Sequence, residues 1–172
     1  MTGIEIFNYT DLYKEQVADL IVHIQQKEFN VPIDLEAQPD LKEISKFYQG
    51  GNGNFWVAVH NNLVIGTIAL LDIGNMQGAL RKMFVHAGYR GKPFKAGQLL
   101  LNELLQWARQ QKFNEIFLGT TEKFIAAQRF YEKNGFTEIK KERLPGSFPV
   151  MRVDVKFYRY DLTIEHPDIH LN

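Results

Sequence analysis

Three cations that could bind a phosphate group, Arg90, Lys92 and Lys95, occur within six residues of each other. They belong to the thirty residues between Asp72 and Glu103, a stretch that contains no carboxylate. The whole chain is balanced, with 20 Lys+Arg against 20 Asp+Glu. At that density about three or four carboxylates would be expected in a stretch of this length. The local excess of positive charge indicates a site for a polyanion.

Two predicted elements flank these cations. Ala79–Val85 has the composition of a strand before the loop, and an amphipathic helix opens at Gly97 after it. The first N–H groups of a helix have no partner within the helix, and the helix dipole places partial positive charge there. We therefore expect a phosphate-bearing ligand where this loop meets the helix.

Length and composition bound the class of protein. The 172 residues are 45% hydrophobic and include 13 Phe, which predicts one domain over 1–172, with a core over 1–162 and a tail over 163–172. The chain has no cysteine, so acyl chemistry cannot pass through a cysteine thioester of the protein.

The same composition argues against two kinds of partner. A net charge of zero disfavours nucleic acid, which usually needs a broad basic face. The sequence has no apolar run of about 20 residues and no signal pattern, so we expect no membrane partner and, by default, a cytoplasmic location.

The hydrophobic periodicity predicts the order strand, two helices, three strands, helix, strand, helix, two strands. The predicted strands are Gly3–Tyr9, Phe55–His60, Leu63–Leu71, Ala79–His86, Glu115–Gly119, Phe136–Lys141 and Met151–Leu162. The predicted helices run from about Asp11 to Phe29, from Asp40 to Tyr48, from Gly97 to about Lys112, and through Ala127–Tyr131 to a stop at Asn134-Gly135.

Two local features refine this prediction. Asp40 and Glu43 have the spacing of a capping box, which would begin the second helix. The last strand changes its alternation near Phe157, which indicates a bulge or a twist there.

Two blocks of residues resemble a known family. Met83–Gly91 followed by Gly97–Leu101 is similar to the Val-x-Pro-x-x-Arg-Gly-x-Gly-x-Gly/Ala loop and leucine-rich helix start of the GNAT superfamily of acyl-coenzyme A (acyl-CoA) dependent N-acyltransferases. Ala127–Phe136 looks like the family's Ala-x-x-Phe-Tyr-x-x-x-Gly-Phe signature. The resemblance implies a mixed α/β fold: a twisted, mostly antiparallel sheet of about seven strands flanked by about four helices.

The chain departs from the family pattern inside the loop. Ala87 stands where the family usually has proline, and the loop is two residues longer than the common form. Lys95 takes a glycine position, and Pro93 has no N–H to donate. We expect side-chain charge to replace part of the usual set of backbone amides.

The resemblance also implies the chemistry, which is direct transfer of an acetyl group from acetyl-CoA to a primary amine of a small molecule or a protein. It places Tyr131 as the acid that protonates the leaving thiolate, and an N–H of Val85 or its neighbours as the oxyanion donor. The residues that it implies for CoA binding are Met83, Phe84, Val85, Arg90, Gly91, Lys92, Phe94, Lys95, Ala96, Gly97, Gln98 and Gln128.

Several alternatives stay open at this point. Glu28, His86 and Glu122 are candidates for the general base by residue type alone, and none is assigned. The acidic residues Glu28, Asp34, Glu36, Asp40 and Glu43 predict either a mouth that attracts a cationic amine or an ordinary solvated stretch. A noncatalytic acyl-CoA sensor with the same fold is the alternative function. The state of association is open, with a homodimer as one alternative.

Metal and nucleotide sites are not expected. His166 and His170 are four residues apart but have no evident third ligand, so no metal cofactor is predicted. The chain contains no P-loop motif, and Gly51-Asn52-Gly53 lacks the third glycine of a dinucleotide loop.

Overall fold

The computed structural model describes residues 3–166, and within them seven strands form one sheet. The strands are β1 (Glu5–Asn8), β2 (Asn54–His60), β3 (Leu63–Asp72), β4 (Gln77–Val85), β5 (Glu115–Thr120), β6 (Thr137–Ile139) and β7 (Lys156–Asp161). Their order in the sheet is β1-β2-β3-β4-β5-β7-β6. The β4–β5 pair is parallel, whereas the β1–β2, β2–β3, β5–β7 and β6–β7 pairs are antiparallel. The predicted mixed, mostly antiparallel sheet is confirmed.

Five α-helices accompany the sheet in the described part of the chain. They are α1 (Lys14–His23), α2 (Pro39–Lys42), α3 (Ile44–Tyr48), α4 (Ala96–Gln110) and α5 (Ile125–Lys133). A 3-10 turn at Asp11–Tyr13 leads into α1, and a π-helical turn at Ile24–Glu28 continues it. Further 3-10 turns occupy Ala87–Tyr89 and Lys141–Arg143. The predicted order of elements is confirmed, with one predicted helix divided into α2 and α3.

The chain forms two compact units. The first contains residues 3–72 and 80–111. Its core consists of apolar side chains from the start of the chain, α1, the α2–α3 segment, β2 and β3. The members are Tyr9, Val17, Ile21, Leu41, Ile44, Tyr48, Phe55, Val57, Val64 and Ala69. Helix α4 buries the face that the leucine periodicity predicts, namely Leu101, Leu104, Leu105 and Ala108, and it buries Leu100 as well.

The second unit contains residues 73–79 and 112–166. Residues Gln77–Ala79, at the start of β4, pair with Glu115–Phe117 of β5. The other edge of β5 pairs with β7, and β7 pairs with β6. Aromatic rings fill the core, with Tyr131 lying 5.5 Å from Phe136 and 6.2 Å from Tyr158 between ring centroids.

Two local predictions are wrong, and both concern the segment from Asp40 to Tyr48. Asp40 does not cap a helix: Gln38 precedes α2, without a side-chain cap, and the Asp40 side chain is buried. Glu43 leaves the helical region (φ −137°, ψ 58°), which divides the predicted helix.

The segment before β7 is a turn rather than the start of a strand. Asp154 accepts the Met151 N–H at 2.8 Å through its carboxylate and donates its own N–H to the Met151 carbonyl at 3.0 Å. The change of phase in the sequence therefore marks the passage from this turn into β7, which begins at Lys156.

Gly53 lies where no side chain fits. An added Cβ would lie 2.4 Å from the Tyr48 carbonyl oxygen and 2.6 Å from the Leu70 carbonyl oxygen. Both contacts are to backbone, so relief requires movement of α3 or β3. We predict that Gly53→Ala lowers the free energy of unfolding by about 1–3 kcal/mol, the usual cost of overpacking.

Denaturant unfolding measures this effect. Gly146→Ala is the matched control, because an added Cβ there has no heavy atom within 4 Å. Equal stabilities of the two variants would contradict the packing argument.

Candidate active site

The end of β4 carries the strand residues of the predicted site. The ladder between β4 and β5 ends at Ala79 and Phe117, so Met83, Phe84 and Val85 come after the last β5-paired residue of β4. Met83 and Phe84 are half-buried and Val85 is buried. This part of β4 belongs to the first unit.

Arg90 is bound on two sides within the first unit. Its Nε donates to the Val85 carbonyl at 2.7 Å, and its Nη2 donates to Glu28 Oε2 at 2.9 Å. Nη1 donates to the other oxygen of the same carboxylate, and the guanidinium lies 5.7 Å from the centroid of Phe29. Such a bidentate pair has fixed geometry. Arg90 therefore holds the end of β4 against the helix that ends at Glu28.

The loop after Arg90 turns on itself before α4. Lys95 has a left-handed backbone (φ 47°, ψ 44°); its N–H donates to the Gly91 carbonyl at 2.7 Å, and its carbonyl accepts the Gln98 N–H at 3.1 Å. Gly91 is also left-handed (φ 65°). Helix α4 begins at Ala96, with Gly97 and Gln98 in its first turn. The predicted meeting of basic loop and helix start is present, one residue earlier than expected.

Phe94 fixes the middle of the loop through ring contacts. Its ring centroid is 4.8 Å from that of Tyr89 and 5.6 Å from that of His60. The Tyr89 hydroxyl and His60 Nδ1 are 2.9 Å apart. A ligand contact by Phe94 would therefore come from a ring that the protein already holds in place.

Tyr131 and Gln128 lie on α5, in the second unit. Burial raises the pKa of the Tyr131 phenol, which is 5% exposed, so the group stays protonated at neutral pH. Gln128 donates to the Thr121 carbonyl at 3.0 Å and lies 3.4 Å from Lys156 Nζ. The predicted residues are thus divided, with the loop set in one unit and this pair in the other.

A buried polar cluster, which sequence reasoning missed, lies beside β4. Asp40 accepts the Tyr48 hydroxyl at 2.5 Å and lies 3.4 Å from Lys82 Nζ and 3.9 Å from Arg81 Nη2. Lys82 also donates to Gln38 Oε1 at 2.6 Å. Burial, chiefly, raises the pKa of the Tyr48 phenol, and Asp40 adds to that rise while Arg81 opposes it. No spacing in the sequence signals this cluster, because its cations are more than thirty residues from Asp40.

The carboxylates of the acidic stretch bind partners within the protein. Each of the five carboxylates predicted to form a cationic-amine mouth has a partner in the structure. The partners are Arg90 for Glu28, the Ala37 N–H for Asp34, Lys42 for Glu36, Lys82 for Asp40 and Lys46 for Glu43. This pairing favours the alternative interpretation of an ordinary solvated stretch, except at Asp40, which is buried.

The three candidate bases also have ordinary surroundings. His86 accepts the Gly88 N–H at 3.1 Å through Nδ1, which caps the 3-10 turn, and Glu28 binds Arg90. Glu122 is exposed. No general base is assigned.

Two further findings concern the described residues 3–166. They contain no group of three or more histidine and acidic side chains arranged to hold a metal ion. His170, one of the two spaced histidines, lies outside this range. None of the helices in the same range has the length and apolar character needed to cross a membrane.

The comparisons with known proteins agree with this architecture. A family model described as "Acetyltransferase (GNAT) family" matches residues 18–136. The match covers more than half of the chain, so the chain belongs to the GNAT acetyltransferase family.

Two solved structures are similar over nearly the whole chain. A GNAT-family acetyltransferase from Staphylococcus aureus Mu50 is 44% identical, with 92% of this chain and 99% of that chain covered and a TM-score of 0.89. An acetyltransferase from Streptococcus agalactiae 2603 is 34% identical, with 94% and 100% covered and a TM-score of 0.90. The N-acetylaspartate synthetase of Xenopus tropicalis is 33% identical over 111 residues, which are 62% of this chain and 40% of that relative. This chain therefore spans less than half of that relative's length.

Because Arg90 is bound by Glu28, we expect Lys92 and Lys95 to supply the loop charge that a CoA phosphate meets. We predict that Lys92→Gln with Lys95→Gln weakens CoA binding about 2- to 30-fold, at roughly 0.2–1 kcal/mol for each exposed ion pair. The salt dependence of binding should fall as well. Isothermal calorimetry at several salt concentrations measures both.

A double variant elsewhere provides the control. Lys140→Gln with Lys141→Gln removes the same charge from exposed positions of the second unit. If both double variants bind CoA alike, the assignment of the two loop lysines is wrong.

Proposed function

We propose that this protein is an acetyl-CoA dependent N-acetyltransferase that transfers the acetyl group directly to a primary amine. The observation that carries the proposal is the sequence of strand end, basic loop and helix start over Met83–Gln98, on a chain of the GNAT family. Proteins bind phosphate groups at such helix starts, and an extended amide-bearing ligand can bind along a strand edge.

In the proposed reaction a neutral amine attacks the thioester carbonyl. The C–N bond forms, the C–S bond breaks, and CoA leaves as a thiolate that takes up a proton. An N–H at Val85 or its neighbours would stabilise the oxyanion of the tetrahedral intermediate. The absence of cysteine from the chain supports direct transfer rather than a cysteine-bound acyl intermediate.

The CoA-binding residues divide by the kind of contact each can make. Met83, Phe84 and Val85 offer main-chain groups, and Lys92 and Lys95 offer charge. Gly91, Ala96 and Gly97 would bring main-chain N–H groups to the phosphates, and Phe94 would line the loop. The Gln98 N–H already donates to the Lys95 carbonyl, so Gln98 would contact CoA through its side chain. Arg90, held by Glu28, would position the strand end rather than act as a mobile phosphate ligand. Gln128 remains a proposed contact on α5.

Tyr131 is the proposed acid. A phenol is protonated at neutral pH, and burial extends this state to higher pH, so the phenol can donate to a sulfur anion. The acceptor would be a small-molecule or protein amine. The name of the N-acetylaspartate synthetase relative favours including amino acids among the amines tested. Cytoplasmic location, single-domain organisation and homodimer formation stay predictions.

Thiol release from acetyl-CoA over a panel of amines tests the activity. The panel includes amino acids, polyamines and lysine peptides, with CoA binding measured separately by calorimetry. Turnover on one class of amine is the expected result. Tight binding with no turnover on any amine would favour the sensor alternative.

We predict that Tyr131→Phe lowers kcat about 10- to 100-fold, within the range of general acid catalysis. The KM for acetyl-CoA should change less than about twofold, because the variant keeps the ring packing against Phe136. Since the pKa of this phenol is raised above its usual value near 10, wild-type kcat should show no loss from phenol ionisation up to about pH 10.

Steady-state kinetics across pH measure both quantities. Tyr160→Phe is the matched control, another buried tyrosine of the same aromatic core. An unaltered kcat in Tyr131→Phe would leave Tyr131 a core residue only.

A further inference from the structure

Lys82 has a backbone conformation that is unusual for its place. It lies inside β4, yet its φ is +52°, in the left-handed region. A non-glycine residue with positive φ is uncommon, and in a strand it re-aims the residues that follow. Met83, Phe84 and Val85 follow directly. We name this feature the left-handed step at Lys82.

The side chain of Lys82 is held from the α2 side. It is 7% exposed, and its Nζ lies 2.6 Å from Gln38 Oε1 and 3.4 Å from Asp40 Oδ2. Gln38 is held in turn, because its amide and that of Gln25 exchange hydrogen bonds of 2.8 and 3.1 Å. Asp40 is held by the Tyr48 hydroxyl. A buried ammonium with such partners cannot move without breaking charge-assisted bonds.

A residue of β3 binds the backbone of Lys82, independently of the contacts that hold its side chain. Thr67 is fully buried, and its Oγ1 donates to the Lys82 carbonyl at 2.6 Å. Hydrogen bonds from two different elements thus fix one residue, at the side chain and at the carbonyl. Strained backbone persists where its surroundings over-determine it, and such positions are concentrated at functional sites.

We propose that Thr67 and Lys82 are positioning residues that set the direction of the main-chain groups of Met83–Val85 toward the acyl thioester. The inference rests on the proposed function, in which those groups receive the thioester. It goes beyond that function by assigning roles to Thr67 and to the Gln38–Asp40–Lys82 contacts. Neither residue touches the reacting atoms in this proposal; they act through the left-handed step at Lys82.

Thr67→Val gives the cleanest test, because valine keeps the shape and removes the hydroxyl. Misplacing reacting groups by about 1 Å can cost roughly 100-fold, so we expect kcat to fall about 10- to 100-fold. The KM for acetyl-CoA should stay within about twofold, because the phosphate loop is unchanged. Thr67→Ser restores the hydroxyl and should recover most of kcat.

Lys82→Met tests the second contact independently. It should give the same loss of kcat with retained KM, and Lys82→Arg should recover part of kcat by keeping the cation. Lys42→Met is the matched control, because Lys42 pairs with Glu36 at an exposed position. That control should leave both constants unchanged.

A spectroscopic measurement separates this inference from the proposed function. The carbonyl ¹³C shift of bound [1-¹³C]acetyl-CoA reports polarisation of the thioester without any acceptor amine. We expect a shifted resonance in the wild type and in Thr67→Ser, and a return toward the solution value in Thr67→Val.

The outcomes are distinct. If the wild type turns over no amine but shows the shifted resonance that Thr67→Val loses, the transferase proposal fails and the positioning role stands. If Thr67→Val and Lys82→Met lower only thermal stability, with kcat and the resonance unaltered, the positioning role is overturned. Equal effects on kcat and on the KM for acetyl-CoA would overturn it as well.

Discussion

The first unit depends on one buried carboxylate, Asp40. It joins the Tyr48 hydroxyl to the two cations Arg81 and Lys82, and so ties the α2–α3 segment to β4. The buried Lys82 ammonium without this carboxylate would be costly, since removing one partner of a buried ion pair typically costs about 3–5 kcal/mol. The same contact that holds the segment in place also holds the strand that precedes the proposed CoA loop. Asp40 therefore contributes both to the stability of the first unit and to the geometry of β4.

A second constraint acts on the proposed phosphate loop, which has lysine at a position where the family pattern has glycine. Lys95 adopts the left-handed conformation that glycine would adopt at lower cost. Lysine at this position places a cation near the helix start, but its left-handed backbone costs more conformational free energy than that of glycine. Arg90, which lies two residues before Lys92, is bound by Glu28 and the Val85 carbonyl. The three cations of the loop therefore differ in role. Arg90 holds the end of β4, whereas Lys92 and Lys95 would supply positive charge to the ligand.

The local sequence pattern predicted those parts of the structure that depend on residues close together in the chain. The leucine spacing predicts the buried face of α4, and Asn134-Gly135 predicts the end of α5, where Gly135 has φ +94°. The basic loop was found in the same way. The ion pairs of Asp40 and Glu28 were not predicted. Each carboxylate binds a cation that is distant in the sequence, and a spacing rule covers only nearby residues. A short polar residue such as Asp40 fits a helix cap and a buried ion pair equally well until the tertiary contacts are known.

Tyr131 shows why a core role and a chemical role need not be alternatives. Its ring packs against Phe130, Phe136 and Tyr158, as a core aromatic does. That packing removes water from the phenol, and the loss of water raises its pKa. A phenol is protonated at neutral pH with or without this rise, and the rise widens the pH range over which it stays so. The higher pKa also makes the phenol a weaker acid, so the packing of Tyr131 would suit it to donate a hydrogen bond to the departing sulfur.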